Sequence, residues 1–200
     1  MNVFCQAAIG ASLFFWATGI KAQTPADVPV IQITKEGSSV RFAVKASVSI
    51  EGTFDKWEAT ITYPSRDVEA GVMDIKIQAD SVNTGSGVKD DKLKSKDFFN
   101  VKEDPYITFH STKFTETGPT TVEVQGNFTI RGVSKPETLI FSVTGKGSGV
   151  GEIKGTMAFD RKEFGMNSGI PFIKIADRVE VSVDLKGKRV SGPPLVFKQN

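Results

Sequence analysis

The residue types that most often carry out catalysis are scarce in this chain. His110 is the single histidine among 200 residues, and it falls on the polar side of a predicted strand. A general base needs a positioned partner within hydrogen-bond reach, and the sequence around His110 signals none. The chain also lacks the G-x-S-x-G motif that places a nucleophilic serine. The sequence therefore predicts no catalytic residue and no enzymatic activity.

Three further patterns were tested as metal or phosphate sites. The only cysteine is Cys5, and the acidic pairs at 90–91 and 103–104 lack the ligand spacing of a calcium loop. The glycine-rich run 145–151 resembles a phosphate-binding loop, but no predicted helix follows it. A phosphate loop needs the helix N-terminus, so a hairpin loop is the better interpretation. The sequence predicts no metal site and no cofactor.

The amino-terminal segment differs from the rest of the chain. Residues 3–20 are mostly apolar, and Ile20-Lys21-Ala22 before Gln23 resembles a signal-peptidase site. Small and polar residues interrupt the run, which favours a cleaved secretory signal over residues 1–22. A membrane anchor is the alternative, because the run is marginally long enough to span a bilayer. We expect a single domain over residues 23–190 and a short tail over 191–200.

Charge and aromatic content narrow the range of partners. The 25 basic and 23 acidic residues give a net charge of +2, which predicts no nucleic-acid partner. Phenylalanine is unusually frequent, with 15 residues against 2 Trp and 2 Tyr. Since Phe brings apolar area without a polar group, the chain is expected to build a very apolar interior.

Alternation of apolar and polar residues dominates the chain after residue 40. It predicts eight strands, which lie over residues 40–51, 57–63, 73–79, 106–114, 122–130, 139–143, 153–159 and 179–185. Alternation on every strand is typical of an antiparallel sheet with one apolar face. Closing such a sheet removes its exposed edges, so we predict an all-β, eight-stranded, antiparallel up-and-down barrel, with a sandwich as the alternative. A barrel of this size can be filled by side chains or can hold one ligand.

One segment, residues 81–105, lacks alternation. It predicts a short helix over 88–96, with Ser86 as N-cap, inserted between the third and fourth strands. The pair Phe98-Phe99 follows this helix and is expected to turn inward. Structured loops of this length are often functional, so the pair is interpreted either as a lid over one mouth of the barrel or as a plug of the core.

Four motifs, in the right order, resemble one known family. They are GTF at 52–54, LKSKDFFNVKEDPYITFHST at 93–112, GNFTIRGVSKPETLIF at 126–141 and FDRKEFGM at 159–166. Together they make residues 30–187 similar to the YceI-like family of polyisoprenoid-binding proteins. Two positions depart from the family pattern: Lys92 stands where His is usual, and Asn100 stands where Asp is common.

The resemblance implies a lipocalin-like barrel, located in the bacterial periplasm or secreted. It also implies an apolar pore that sequesters a polyprenyl chain, such as an isoprenoid quinone or a polyprenyl phosphate. The function it implies is non-enzymatic binding, sequestration or transport of that lipid. The alternative is a structural or stress-response barrel with a side-chain-filled core and no lipid ligand.

Candidate ligand contacts follow from the alternation and from the aromatic pair. They are Phe42, Val44, Trp57, Ile61, Ile75, Phe98, Phe99, Phe109, Phe128, Phe141, Val143, Met157, Phe159 and Val181. Beyond the lipid, a homodimer and transient contact with a membrane are left open as partners.

Overall fold

Antiparallel strands wind around a closed barrel in a computed structural model, which describes residues 27–47, 49–169 and 174–198. The predicted secretory signal, residues 1–22, lies outside the described residues. The strands are β1 (Val30–Ala46), β2 (Ile50–Phe54), β3 (Trp57–Thr62), β4 (Val72–Gln78), β5 (Val82–Asn83), β6 (Tyr106–Gly118), β7 (Thr121–Ile130), β8 (Val133–Thr144), β9 (Val150–Asp160) and β10 (Ile175–Ser191). The helix α1 spans Gly87–Lys94, and short 3-10 turns cover Val68–Ala70, Ala79–Ser81 and Arg161–Phe164.

The ten assigned strands make up the eight wall-length strands of the barrel, which we call staves, because two of these are each interrupted once. A break at residues 55–56 divides one stave into β2 and β3, and the turn at 79–81 divides the next into β4 and β5. β10 pairs with β1 from Val30↔Ser191 to Ala46↔Ile175, which closes the ring. Three staves precede α1 and five follow it. The predicted eight-stranded antiparallel barrel with a helical insert between its third and fourth strands is confirmed.

The first predicted strand, 40–51, is wrong as a single strand. β1 begins at Val30 and ends at Ala46, and the chain turns before β2 starts at Ile50. The turn predicted at 52–55 falls mostly within β2. Val44 pairs with Ile50 across the connection, and both are buried, so the apolar alternation passes through the turn without a break. Val48, which was expected on the apolar face, lies outside the described residues.

Large side chains of the barrel interior are packed against glycines on neighbouring strands. Phe42 pairs with Gly52, and Phe141 pairs with Gly155. A Cβ at Gly52 would lie 2.6 Å from the Phe42 ring, and one at Gly155 would overlap the Phe141 ring. Each ring therefore occupies the space that the facing glycine leaves. Such alternation of small and large residues fills a narrow barrel without strain.

The described part of the chain includes no helix that is long and apolar enough to cross a bilayer.

Candidate functional site

The barrel interior has an apolar cavity beneath the insert. We call this side of the barrel the insert end, since α1 and residues 95–105 cover it. The cavity has a volume of about 70 Å³. Strand residues such as Phe42, Phe128 and Phe159 form its wall, and Phe98 and Phe99 form its cover. Arg161 is the only charged residue among those that line it. This arrangement suits contact with a hydrocarbon rather than with a polar substrate.

The insert holds its aromatic pair by local backbone bonds. The Phe99 amide donates to the Leu93 carbonyl at the end of α1, at 2.9 Å. Asn100 adopts a left-handed conformation, with φ of 53°, which reverses the chain directly after the pair. Phe98 and Phe99 are 4% and 7% exposed, and the Phe99 ring lies 5.8 Å from the Phe54 ring. The inward orientation predicted for the pair is observed, but the choice between lid and plug stays open.

Lys92, at the position where the family usually has His, is already partnered. Its ammonium donates to Asp97 at 2.6 Å and lies 5.8 Å from the centre of the Phe98 ring. The hydrogen bond from Lys92 holds the pKa of the Asp97 carboxyl below its usual value. This ion pair fastens the end of α1 to the turn that carries the aromatic pair.

Arg131 links the insert to the 161–166 segment, which lies across the insert end of the barrel. Residues 131–132 form the tight turn between β7 and β8, and both have positive φ, as a type I′ turn requires. The Arg131 guanidinium donates to the Lys96 carbonyl at 3.0 Å and to the Gly165 carbonyl. The insert and the 161–166 link are thereby bridged by one side chain.

Arg161 was not predicted as part of the site, although it lies within the motif at 159–166. It is 6% exposed. Its guanidinium donates to the Met166, Ser168 and Ala176 carbonyls and to Asp177 at 3.1 Å. Hydrogen bonds from Lys162, and then the charge of Arg161, lower the pKa of Asp177. Because its donors are used within the fold, Arg161 holds the 166–168 segment and the start of β10 together at the cavity wall.

The other side of the barrel, the tail end, is closed by residues 192–198. The Val196 amide donates to the Arg66 carbonyl at 2.7 Å, and the Val196 carbonyl accepts from Val68. Lys198 forms an ion pair with Glu69, and its amide donates to Glu116 at 2.6 Å. The segment interpreted as a short tail from sequence is therefore docked on the barrel. A second cavity, of about 110 Å³, lies beneath it.

Charge and burial shape the tail end. The hydrogen bond from Lys198, with one from the Glu116 amide, lowers the pKa of Glu69. The hydrogen bond with Glu69 in turn raises the pKa of the Lys198 ammonium above its ordinary value. Burial raises the pKa of Tyr63, which lines the second cavity, to about 12. The tail end thus combines polar and ionic groups, whereas the insert end is almost wholly apolar.

The predicted ligand contacts divide among three layers. Those that line the insert-end cavity are Phe42, Val44, Phe98, Phe99, Phe128, Phe159 and Val181. Those that line the tail-end cavity are Ile61 and Val143. The remaining ones, Trp57, Ile75, Phe109, Phe141 and Met157, are buried but line neither of these two cavities. Their roles as ligand contacts stay predictions.

Several cavity residues were missed from sequence. Leu93 of the insert and Met166 of the 161–166 link both line the insert-end cavity. Leu93 ends a helix too short to show periodicity, and Met166 lies in an irregular link. The signal that could have found both is their position inside family motifs. No pattern pointed to the tail, because its contacts are all distant in sequence.

The residues first tested as catalytic lie elsewhere. His110 pairs with Asp74 at 2.6 Å, a partner that no sequence motif indicated, and both side chains are more than half exposed on the outer wall. Asp90 accepts hydrogen bonds from the Thr84 amide and hydroxyl at 2.9 and 2.7 Å, which fixes the start of α1. Across the described ranges, no cluster of three or more His, Cys, Asp or Glu side chains could hold a metal ion.

The model of the YceI-like domain matches residues 32–187, which is most of the described barrel. The chain belongs to the YceI-like family. A UPF0312 protein of Pseudomonas aeruginosa is 26% identical over 191 residues, covering 91% of this chain and 95% of that protein. The predicted family is confirmed.

Solved structures share the fold of this YceI-like chain. BcnA of Burkholderia cenocepacia superimposes with a TM-score of 0.70 at 24% identity, covering 78% of this chain and 99% of BcnA. A domain of Saccharophagus degradans, described as polyisoprenoid binding and implicated in plant cell wall breakdown, superimposes with a TM-score of 0.62 at 14% identity. It covers 80% of this chain and 99% of that domain. At these identities the likeness shows the fold alone.

Proposed function

We propose that this protein binds an isoprenoid lipid, without chemical conversion, through the cavity at its insert end. The observation that carries the proposal is the apolar lining of that cavity, closed by Phe98 and Phe99 on a segment outside the strand ladder. Membership of the YceI-like family and the polyisoprenoid-binding description of a structural neighbour support the choice of ligand. An isoprenoid quinone and a polyprenyl phosphate are the two candidates.

The size of the cavity dictates how binding must occur. A cavity of about 150 Å³ accepts benzene, so a void of about 70 Å³ cannot hold a polyprenyl chain as it stands. The insert must therefore move outward, carrying Leu93 and the two Phe rings with it. Burial of each CH₂ of the lipid contributes about 0.8 kcal/mol. Ordering of the ligand and the lost translational freedom offset much of this gain.

The same small volume favours a second candidate function, a structural barrel whose core is filled by its own side chains. The Phe42–Gly52 pair already fills part of the insert end, and the Phe141–Gly155 pair fills space between the two cavities. In this case no lipid accompanies the protein, and the insert never opens.

Mass spectrometry of lipid extracted from protein purified under native conditions separates the two candidates. We expect wild-type protein to carry an isoprenoid, and Val44→Phe to carry much less because the larger ring fills the insert-end cavity. Ile153→Phe, which enlarges a residue lining the tail-end cavity, is the matched control and should keep the lipid. Wild-type protein that carries no lipid, and takes up no added isoprenoid quinone, would establish the filled barrel instead.

Export is a separate part of the proposal. The apolar run at residues 3–20 and the small residue Ala22 support a periplasmic or secreted location. Amino-terminal sequencing of the protein from its native cell should begin near Gln23. An intact Met1 in the membrane fraction would instead indicate an anchor.

A further inference from the structure

The tail-end cavity is lined by a tyrosine whose hydroxyl makes no hydrogen bond with the described residues. Tyr63 is 8% exposed, and its ring packs against Gly71, where a Cβ would come within 2.8 Å of it. Buried tyrosines usually donate their hydroxyl to a partner. Among the described residues, the Tyr63 hydroxyl forms no hydrogen bond. The one fully buried side-chain polar atom among them without a partner is Thr115 Oγ1, so the Tyr63 oxygen keeps some contact with the cavity that its residue lines. Because burial raises its pKa to about 12, the hydroxyl stays protonated and can donate.

The same cavity is lined by a guanidinium without a carboxylate partner. Arg189 lies near the end of β10, opposite Ile31 of β1, and its guanidinium donates to the Gly192 carbonyl at 2.6 Å. It forms no ion pair with any carboxylate of residues 27–47, 49–169 or 174–198. Lys146, which also lines the cavity, is by contrast occupied by Glu116 and by the Phe197 ring, at 3.8 Å. Within the part of the chain that the structure describes, the Arg189 charge at this end therefore has no carboxylate counter-ion.

Aliphatic side chains complete the lining. Ile61, Val68, Ile153 and Leu195 contribute apolar surface, and four glycines of the 145–151 loop bring backbone close to the cavity. A ligand here would meet a hydrocarbon wall, one neutral donor and one cationic donor.

We propose that the tail end is a second binding site, specific for a short amphiphilic carboxylate, with Tyr63 and Arg189 holding the carboxylate. The apolar part of the ligand is no larger than a short acyl chain or a single ring, because the cavity is about 110 Å³ and the tail covers it. The site is separate from the insert-end cavity, since none of its lining residues is shared with that cavity. The carboxylate supplies an acceptor for the Tyr63 hydroxyl and a charged acceptor for the remaining N–H groups of the Arg189 guanidinium, whose one hydrogen-bond partner among the described residues is the Gly192 carbonyl.

Titration of the full-length protein with hexanoate, followed by amide NMR, tests the site. Glycine amides resonate in their own spectral region, so Gly145, Gly147, Gly149 and Gly151 report on the tail end, while Gly52 and Gly165 report elsewhere. We expect saturable shifts confined to the loop glycines. The uncharged probe 1-hexanol should bind about tenfold more weakly, since it cannot accept charge-assisted hydrogen bonds.

Variants assign the two donors. Arg189→Gln should weaken hexanoate binding about tenfold while leaving hexanol binding unchanged. Tyr63→Phe, which removes only the hydroxyl, should weaken it about fivefold. The matched control is Lys188→Gln on the adjacent exposed position, which should have no effect.

Equal affinity for hexanoate and hexanol in the wild-type protein would overturn the proposal without any variant. Absence of saturable shifts, or shifts at Gly52 and Gly165 as large as those of the loop, would overturn it as well. Isoprenoid extracted from the same preparations reports on the insert end independently, so failure of one site does not imply failure of the other.

Discussion

The two ends of the barrel are closed in different ways. At the insert end, Phe99 packs against the Phe42 and Phe54 rings of the wall, Phe98 lines the same cavity, and that cavity has one charged residue in its lining. At the tail end, closure depends on Lys198 with Glu69 and Glu116, and the cavity includes Tyr63, Lys146 and Arg189. Between them a large ring is fitted to a glycine of the neighbouring strand. One barrel thus contains an apolar cavity and a cavity with polar and charged lining residues, and the two share no lining residue.

The difference shows how one strand pattern can border two cavities with different linings. Both ends share the same alternating staves, so the wall alone does not distinguish them. The segments outside the strands supply the closures: aromatic residues from the insert, and a lysine and main-chain bonds from the tail. Changes in these segments are therefore expected to alter one end at a time.

The largest effect is expected in the layer that both ends share. Phe141 is 2% exposed, and Phe141→Asp removes its packing and buries a charge. Loss of the ring alone costs about 3–5 kcal/mol, and the buried carboxylate adds to that. Because domains are stable by only about 5–15 kcal/mol, the variant should not fold, as circular dichroism would show. The control Ile140→Asp, at a residue 48% exposed on the same strand, should fold normally. A folded Phe141→Asp protein with full lipid content would contradict this placement.

The next prediction compares the loss of a buried Phe ring from the insert with the loss of one from outside it, in both protein stability and lipid release. Phe98→Ala should destabilise the protein by less than about 3 kcal/mol, since the ring borders a cavity and has fewer contacts to lose. It should also speed lipid release to acceptor vesicles. Phe114→Ala, buried in the same chain at 5% exposure but outside the insert, should cost about 3–5 kcal/mol without changing release. If Phe98→Ala releases lipid at the same rate as Phe114→Ala and loses as much stability, Phe98 is a core plug rather than a lid. Phe99→Ala repeats the test at the neighbouring residue.

A smaller effect is expected when the central fit is disturbed. Gly155→Ala places a methyl group against the Phe141 ring, and overpacking of this kind costs about 1–3 kcal/mol. Gly87→Ala is the control, because it lies at the start of α1 with no atom within 4 Å of the added Cβ. Urea unfolding should separate the two. A Gly155→Ala protein as stable as the wild type would show that the central layer is loosely packed.

The smallest effect concerns pH at the tail end. The folded-state pKa of Glu69 lies below its ordinary value. The ionised Glu69 carboxylate therefore stabilises the docked tail in full at any pH above that ordinary value. This stabilisation is lost as the pH falls through the lowered pKa. Carboxypeptidase digestion at decreasing pH should therefore release the tail in the acidic range. Asp97 also has a lowered pKa, so acid should weaken the insert end as well. The variant Glu69→Gln separates the two effects, because it removes only the tail-end carboxylate. It should make the tail susceptible to digestion at neutral pH. Equal digestion of wild type and variant at neutral pH would rule out Glu69 as the anchor.

Much of the fold could be predicted from the sequence because alternation is a local property. The period of two told which residues of each strand turn inward, and Phe42, Phe128, Phe141 and Phe159 are all buried as it indicated. The turn between β1 and β2 could not be predicted, because Val44 and Ile50 keep the same alternation across it. Family motifs supplied the rest of the topology.

The division of the interior into two sites was decided only by tertiary structure. Arg131 reaches Lys96 and Gly165, and Lys198 reaches Glu69, across separations of 35, 34 and 129 residues. Cavity volumes likewise depend on which ring faces which glycine across paired strands. The sequence by itself determined a closed apolar barrel with an aromatic insert. Closure of its ends required long-range pairing, since local periodicity specifies the face of a residue but not the distant groups that meet it.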